Sequence, residues 1–384
     1  MRILHLSQFL IPGMRYQENI LPAEQARLGH EVMIVASDLM PGVAGALALR
    51  DEPDAAAGVR VLRLRGLRLA RDAQIRLAGL REVLRDARPD IVHLHGLWFY
   101  ANAQGLRAWR GPVLADEHTD NGNAPTGISG VLARWAGRRV LRTVLARGGR
   151  VAGANPYAVH YLREALGAPA DRVDLLPLGV DTRVFRPDGD ARGRERARLG
   201  WGAADVVLCT SGRLVPGKGL ELLLEAFARV VAQDPRARLL VIGDGPESCK
   251  AALRGQADRL GVARWVTWEG WQSQEGLNAL YNAADIGVLP GKMGGLRDLL
   301  GCGRPLVVED SPAVSYLVEN DAGAVFAPGD ARALADAVLP LVADGDERYR
   351  RGAAALRRAG ELSWESVARD SIVLYNQCLA RYSD

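Results

Sequence analysis

The chain has 384 residues, 48% of them hydrophobic, and a formal net charge of +4. That length holds two domains with cores of ordinary size. No apolar run reaches the roughly 18 residues of a membrane span, and Cys209, Cys249, Cys302 and Cys378 have neither disulfide nor metal-ligand spacing. The opening MRILHLSQFLIP lacks the long apolar stretch and small-residue cleavage site of a secretory leader. It reads as a first strand, and a cytoplasmic protein is expected. The charge is unevenly placed. Met1–Val180 carries 23 arginines, no lysine and 17 acids, the remainder 26 basic and 28 acidic residues. An arginine-rich first half suits an anionic surface or an anionic acceptor.

Strand-like and helical segments alternate throughout, which predicts α/β architecture with parallel sheets. Arg2–Ser7 reads as a strand, Gln17–Leu28 as a helix closed by Gly29, and Glu31–Ser37 as the next strand. Residues 38–58, rich in Ala, Gly and Pro, read as a loop; Val59–Leu64 follows as a strand and Asp72–Arg88 as a basic helix. Ile91–His95 and Val113–Asp116 are short strands, the second running into Glu117-His118. Residues 119–130 are polar and without periodicity, which marks a substrate-side loop. Asp120 and Asn121 in that loop, with Glu117, are candidate acceptor contacts. Val131–Ala146 reads as a helix with Arg134, Arg138 and Arg142 on one face. Arg150–Ala154, Pro156–Leu166 and Arg172–Leu176 complete a first domain over 1–187. The charged, glycine-rich stretch 188–204 reads as the boundary, and Asp181–Ala204 as a linker between the domains.

The second domain, 188–362, repeats the logic. Its strands are expected at Val206–Thr210, Arg238–Ile242, Trp265–Trp268, Ile286–Leu289, Pro305–Val308 and Ala324–Phe326. Helices begin near Leu220, Glu247, Gln274, Leu296, Ala313 and Ala331, and 363–384 is a terminal helix. The stretch TSGRLVPGKG (210–219) turns the first of these strands into its helix, where open α/β sheets bind ligands. It sets Arg213 and Lys218 beside Gly212, Gly217 and Gly219, and glycine lets a backbone approach a ligand closely. The following helix N-terminus adds its positive end. The combination suits a diphosphate; the plainer alternative is a surface turn with two solvated cations.

Other patterns are weaker. His93 and His95 alternate on one strand and share a face, but no carboxylate stands at ligand spacing, so a structural role is expected. The basic segments 60–88 and 134–150 suit anionic lipid. Aromatics are not interleaved with the basic runs, so nucleic acid is not expected. Neither half has G-x-G-x-x-G after its first strand, which argues against a dinucleotide-dependent oxidoreductase.

Motifs run the length of the chain. Gly13 precedes a helix ending LGHEV (28–32), followed by DIVHLHG (90–96), DEH (116–118) and PLGVDTRVFRP (177–187). Then come SGRLVPGKGLELLLEAF (211–227), VIGDGPE (241–247), WEGWQ (268–272), YNAADIGVLP (281–290), GCGRPLVV (301–308) and APGDARALADAV (327–338). In this order they resemble the retaining glycosyltransferases of family 4. The resemblance implies the GT-B fold, two facing Rossmann-like domains with a cleft between them, the C-terminal one holding a nucleotide-sugar and the N-terminal one meeting the acceptor. It implies a hexosyltransferase acting with retention on a hydroxyl acceptor, in surface polysaccharide or glycolipid biosynthesis, with peripheral contact at the inner face of the membrane. A UDP-sugar is favoured over a GDP-sugar as donor, and no metal or other cofactor is expected. By position, Arg213 and Lys218 would clasp the donor diphosphate and His118 would lie near the reacting sugar. Gly13, Gly212, Gly294, Gly295 and Leu296 would bring backbone to the phosphates, Trp271 and Gln272 would line the nucleobase pocket, and Asp298 would hold the ribose. The sequence departs from the family at one point. Of the two glutamates usually found ahead of the C-G-x-P segment, the second is Asp298 and the first falls at Pro290. Transfer to a natural product or aminosugar, or a degenerate relative that binds nucleotide or glycan without turnover, are the alternatives.

Overall fold

The computed structural model describes residues 1–11, 13, 15–39, 58–70, 74–119, 126–291 and 294–383. Asp120, Asn121 and most of the expected 38–58 loop lie outside the described residues. The chain forms two compact units, Met1–Gly179 with Trp364–Asp384, and Val180–Ser363.

The first unit opens with β1 (Arg2–Leu6), α1 (Gln17–Arg27), β2 (Glu31–Ser37) and β3 (Val59–Leu64). An antiparallel hairpin, β4 (Gly66–Ala70) with β5 (Gln74–Leu77), leads to α2 (Leu80–Ala87) and β6 (Ile91–His95). Then follow α3 (Tyr100–Ala108), β7 (Val113–Glu117), α4 (Gly127–Leu145), β8 (Arg150–Gly153), α5 (Pro156–His160) and β9 (Val173–Leu175). The main sheet is parallel, in the order β3-β2-β1-β6-β7-β8-β9. Because successive strand residues face opposite sides, β1 feeds two cores. Leu4 and Leu6 join one cluster, while Ile3 packs with Leu21, Trp364, Val367 and Tyr375 in the other.

Two local readings are corrected. The basic helix expected over 72–88 is a hairpin followed by a short helix, because Ile75 and Leu77 alternate with Gln74 and Arg76 and bury at strand period. Gly79, at φ 79°, makes the turn before α2. The unexpected helix α3 carries Gly105 in its interior, an unfavourable residue for a helix. A Cβ there would stand 2.5 Å from Leu6 Cδ2, so glycine is what lets α3 lie close against β1.

The second unit begins with α6 (Gly189–Arg198), β10 (Val206–Ser211), α7 (Leu220–Gln233), β11 (Ala237–Ile242) and α8 (Glu247–Arg259). It continues with β12 (Val266–Glu269), α9 (Gln274–Ala283), β13 (Ile286–Leu289), α10 (Asp298–Gly301), β14 (Leu306–Glu309) and β15 (Gly323–Phe326). Helices α11 (Ala331–Ala343) and α12 (Gly345–Glu361) close it, and α13 (Trp364–Ser383) returns to the first unit. The sheet is parallel, in the order β12-β11-β10-β13-β14-β15.

The units divide after Gly179, ahead of the 187/188 division expected from composition. Val180 and Phe185 are fully buried in the second core, which fixes 180–187 to that unit. The charged stretch after them is no linker. Asp188 caps α6 through the Ala191 N–H, and Arg192 and Arg196 of α6 pair with Asp285 at 2.6 and 3.1 Å. Arg196 also donates to the carbonyls of Gly202 and Asp205. Its arginines are anchors, a use that charge density alone does not reveal.

Candidate active site

In open α/β sheets ligands bind beyond the carboxyl ends of the strands, where strand order reverses. In the second unit that point is between β10 and β13. Strand β10 ends at Ser211, whose hydroxyl pairs with Tyr281 at 2.6 Å. The chain then passes Gly212, Arg213, Gly217 and Lys218 to Gly219, which precedes α7. Gly219 has φ 75°, and a Cβ there would meet the Pro290 carbonyl oxygen at 2.2 Å. The turn after β13 therefore packs directly on the turn after β10. Beside it, a Cβ on Gly243, after β11, would stand 1.8 Å from the Gly212 carbonyl oxygen. These glycines make a cradle of bare backbone. Arg213 is exposed, Lys218 half-buried, and among the described residues neither has a carboxylate partner.

The other predicted donor residues lie along the same carboxyl edge. Trp271 and Gln272 follow β12; Trp271 is 78% exposed. Gly294, Gly295 and Leu296 form a 3-10 turn into α10, with the Leu296 side chain in the core. Asp298 opens α10, where its carboxylate accepts the Asp181 N–H at 3.4 Å. Serving the chain's own backbone is a use its motif position does not announce.

The first unit's carboxyl edge is built differently. Gly13 follows β1 at φ 72° and is exposed, with open space where a Cβ would stand. His118, just past β7, is one-third exposed, and its Nε2 lies 3.3 Å from Asp116 Oδ1. Asp116 is the hub of a buried network. Its Oδ2 lies 3.1 Å from His93 Nε2 and 2.7 Å from His95 Nδ1, and Oδ1 accepts the Gly96 N–H. His95 Nε2 pairs with His5 Nδ1 at 2.9 Å, and His5 Nε2 with Gln25 Oε1 at 2.7 Å. Gln25 donates to Ser371 and Tyr375, and the Tyr375 hydroxyl stands 2.7 Å from His93 Nδ1. Helix α13 thus closes the network from behind.

The carboxylate judged missing from the neighbourhood of His93 and His95 is Asp116, on the adjacent strand. It is invisible at sequence spacing because the register His95↔Asp116 creates it. Ligand atoms of His95, Asp116 and His118 lie within 4.8 Å of one another, close enough to surround an ion. The contacts among these groups account for the arrangement as an ionic hydrogen-bonded network.

The electrostatics follow from burial and from this one carboxylate. Burial alone would raise Asp116, but His95, His118 and His93 hold it well below the usual carboxylate range. Burial would lower His118, but the Asp116 charge and contact raise it to about 9, making it an imidazolium at neutral pH. Burial and the charge of His95 push His93 down to about 4, and burial with His93 and His95 holds His5 well below the usual imidazole range. Glu117, an expected acceptor contact, is turned inward. Its carboxylate accepts the N–H groups of Leu97, His118 and Thr119 and the Thr119 hydroxyl.

Two Rossmann-like units with a cationic glycine cradle on one and a polarised histidine on the other have the form of a GT-B transferase. Residues 205–344 match the family described as "Glycosyl transferases group 1", and residues 21–184 match "Glycosyltransferase Family 4". Over 312 residues the chain is 30% identical to a D-inositol 3-phosphate glycosyltransferase of Nocardia farcinica, covering 76% of this chain and 67% of that protein. It is 34% identical over 269 residues to a GDP-mannose-dependent alpha-(1-6)-phosphatidylinositol monomannoside mannosyltransferase of Mycolicibacterium smegmatis, covering 62% and 68%. The fold is also that of the sucrose-phosphate synthase of Thermosynechococcus elongatus, with a TM-score of 0.75 at 21% identity over 99% of both chains. The chain belongs to glycosyltransferase family 4.

One expectation is overturned. A UDP-sugar was favoured over a GDP-sugar, whereas the Mycolicibacterium relative is GDP-mannose-dependent. The role expected of Arg213 and Lys218 is toward a diphosphate, which every such donor shares, so that expectation carries no information about the base.

Proposed function

We propose that the chain moves a hexose from a nucleoside-diphosphate sugar to a hydroxyl of a phosphate- or lipid-bearing acceptor, with retention of configuration. The observation that carries this reading is the pair Arg213 and Lys218, without carboxylate partners among the described residues, over the Gly212–Gly219–Gly243 cradle. In the reaction the bond from the anomeric carbon to the diphosphate oxygen breaks, and the acceptor oxygen bonds to the same face. A diphosphate oxygen takes the acceptor's proton. Arg213 and Lys218 stabilise the charge that grows on the diphosphate, an effect that counts because it is stronger in the transition state than before it. Gly13 and the Gly294–Gly295–Leu296 turn bring N–H groups to the phosphates, Trp271 and Gln272 meet the base, and Asp298 the ribose. His118 positions the sugar.

The relatives' names favour GDP as the first base to test, and an acceptor with an inositol phosphate or phosphatidylinositol-type head. Helix α4 supports peripheral contact with an anionic membrane: Ile128, Val131, Leu132 and Trp135 are exposed beside Arg138 and Arg142. No helix among the described residues is long and apolar enough to cross a membrane. Pro290, standing where the family has a carboxylate, favours a second reading in which nucleotide binds without turnover.

Calorimetric titration with GDP, UDP, ADP and dTDP tests the reading, followed by a sugar-release assay with donors of the base that binds. Binding of one nucleotide with slow release of its sugar is the expected result. Binding without release from any sugar, even with phosphatidylinositol present, favours the second reading, and no binding overturns both.

A further inference from the structure

Between α3 and α4 the first unit holds a cavity of about 870 Å³ that contains none of the site residues described above. Trp98, Phe99, Leu106, Leu132, Trp135 and Val140 line it. The Trp98 and Phe99 rings stack on each other at 4.7 Å, which leaves the floor apolar. Leu132 and Trp135, on the α4 side, are 61% and 63% exposed. Isolated surface apolar residues are ordinary, but a contiguous apolar concavity marks a binding site.

The charge at its rim narrows the ligand. Four arginines line the cavity and no acid does. Two are committed: Arg147 donates to the carbonyls of Trp109 and Leu106, and Arg107 to the Tyr100 hydroxyl. Arg110 and Arg139 are exposed and, among the described residues, have no carboxylate partner. An apolar trough with two uncommitted guanidinium groups at its edge is complementary to an anionic amphiphile, because guanidinium pairs well with phosphate. Sugar or peptide alone would leave most of the trough unfilled by apolar atoms. The location also fits. Trp98 follows Leu97, whose N–H donates to Glu117, the neighbour of His118. The trough therefore starts beside the strand ends that carry the acceptor-side histidine.

We infer that this groove takes one acyl chain of a single anionic lipid, with Arg110 and Arg139 on its phosphate. The inference rests on the lipid-bearing acceptor proposed above and names where that lipid's chain is held. It differs from contact with a membrane surface, in which chains stay in the bilayer and exposed side chains insert among them.

The test uses the full chain and a monoacyl phosphatidylglycerol with a brominated chain, below its critical micelle concentration, read by quenching of tryptophan fluorescence. Saturable one-to-one quenching is expected, with glycerol phosphate giving none. Ala136→Phe, which fills the groove, and the Arg110→Ala/Arg139→Ala pair on the exposed rim should each weaken binding about tenfold or more. The arginine pair should also flatten its salt dependence. Quenching that fails to saturate, is unmoved by both variants, or is displaced by a short RNA overturns the inference. Equal binding of the uncharged monoacylglycerol overturns it too. Nucleotide titration on the same sample separates this failure from failure of the glycosyltransferase reading, since the cradle and the groove share no residue.

Discussion

The carboxyl edges of the two sheets solve the same electrostatic problem in opposite ways. In the first unit the charges already cancel: Asp116 sits among three histidines, and Glu117 is spent on three backbone N–H groups. In the second unit two cations stand by a glycine cradle with no carboxylate against them among the described residues. One edge is pre-organised by its own residues and keeps its geometry without ligand. The other, on the function proposed above, is completed by the anion it receives. Removing charge should therefore cost the first edge its fold and the second its ligand.

The largest effect is expected at Asp116. Asp116→Asn breaks a fully buried ionic hub, a change that typically costs about 3–5 kcal/mol. It also changes the pH dependence. In the wild type His118 holds its proton up to about pH 9, whereas the unfolded chain releases it near 6.5. This contribution to stability is present in full below that value and is lost as pH rises from about 6.5 to 9. His93 acts on the other side. It stays neutral in the fold down to about 4, while the unfolded chain takes up a proton near 6.5. Stability is lost as pH falls between those values. Urea midpoints measured across pH should therefore peak near neutrality, and Asp116→Asn should remove the alkaline decline. The His118 ring proton, followed by NMR, should titrate well below about 9 in that variant. Titration that stays near 9 would mean that Asp116 is not what holds the charge.

At the second edge the same kind of deletion should spare the fold. Lys218 is half-buried and unpaired among the described residues, so Lys218→Ala should shift stability by less than about 0.5 kcal/mol. Nucleotide affinity should fall by about 1.5–3 kcal/mol, the worth of a charge-assisted phosphate contact. Arg213→Ala should behave alike. Calorimetry beside a thermal melt decides it; an unchanged affinity in both variants would remove the diphosphate from this turn.

How much of this contrast could be read in the sequence differs between the edges for the same physical reason. The glycine cradle is local. Its cations and glycines stand together in TSGRLVPGKG, and strand-turn-helix periodicity locates the turn; β10 and α7 begin within a residue of expectation. The histidine hub is non-local. His5, His93, Asp116 and Tyr375 come from three strands and the last helix, and only the registers His5↔His93 and His95↔Asp116 bring them together. DEH and HLH were visible as patterns, but not the contact between them. Likewise α3 was hidden by Gly105, whose reason is a neighbour on β1. The stretch after Pro187 read as a linker because the partner of its arginines, Asp285, lies far along the chain.

The smallest effect is expected at Trp271, and it tests how far the open edge extends. The side chain is 78% exposed after β12, two strands from β10, which leads to Arg213 and Lys218. An exposed tryptophan contributes little to the fold, so Trp271→Ala should leave the melting temperature unchanged. If its ring stacks on the donor's base, the variant should lose about 0.5–1.5 kcal/mol of nucleotide affinity, the usual worth of an aromatic pair. Inorganic pyrophosphate, which has no base to stack, should bind wild type and variant equally, while Lys218→Ala should weaken both ligands. A Trp271→Ala variant that loses pyrophosphate and nucleotide in equal measure would show that the residue shapes the phosphate cradle. Loss of nucleotide alone would set the base at the β12 end of the sheet, and the open edge would then run from β13 across β10 and β11 to β12.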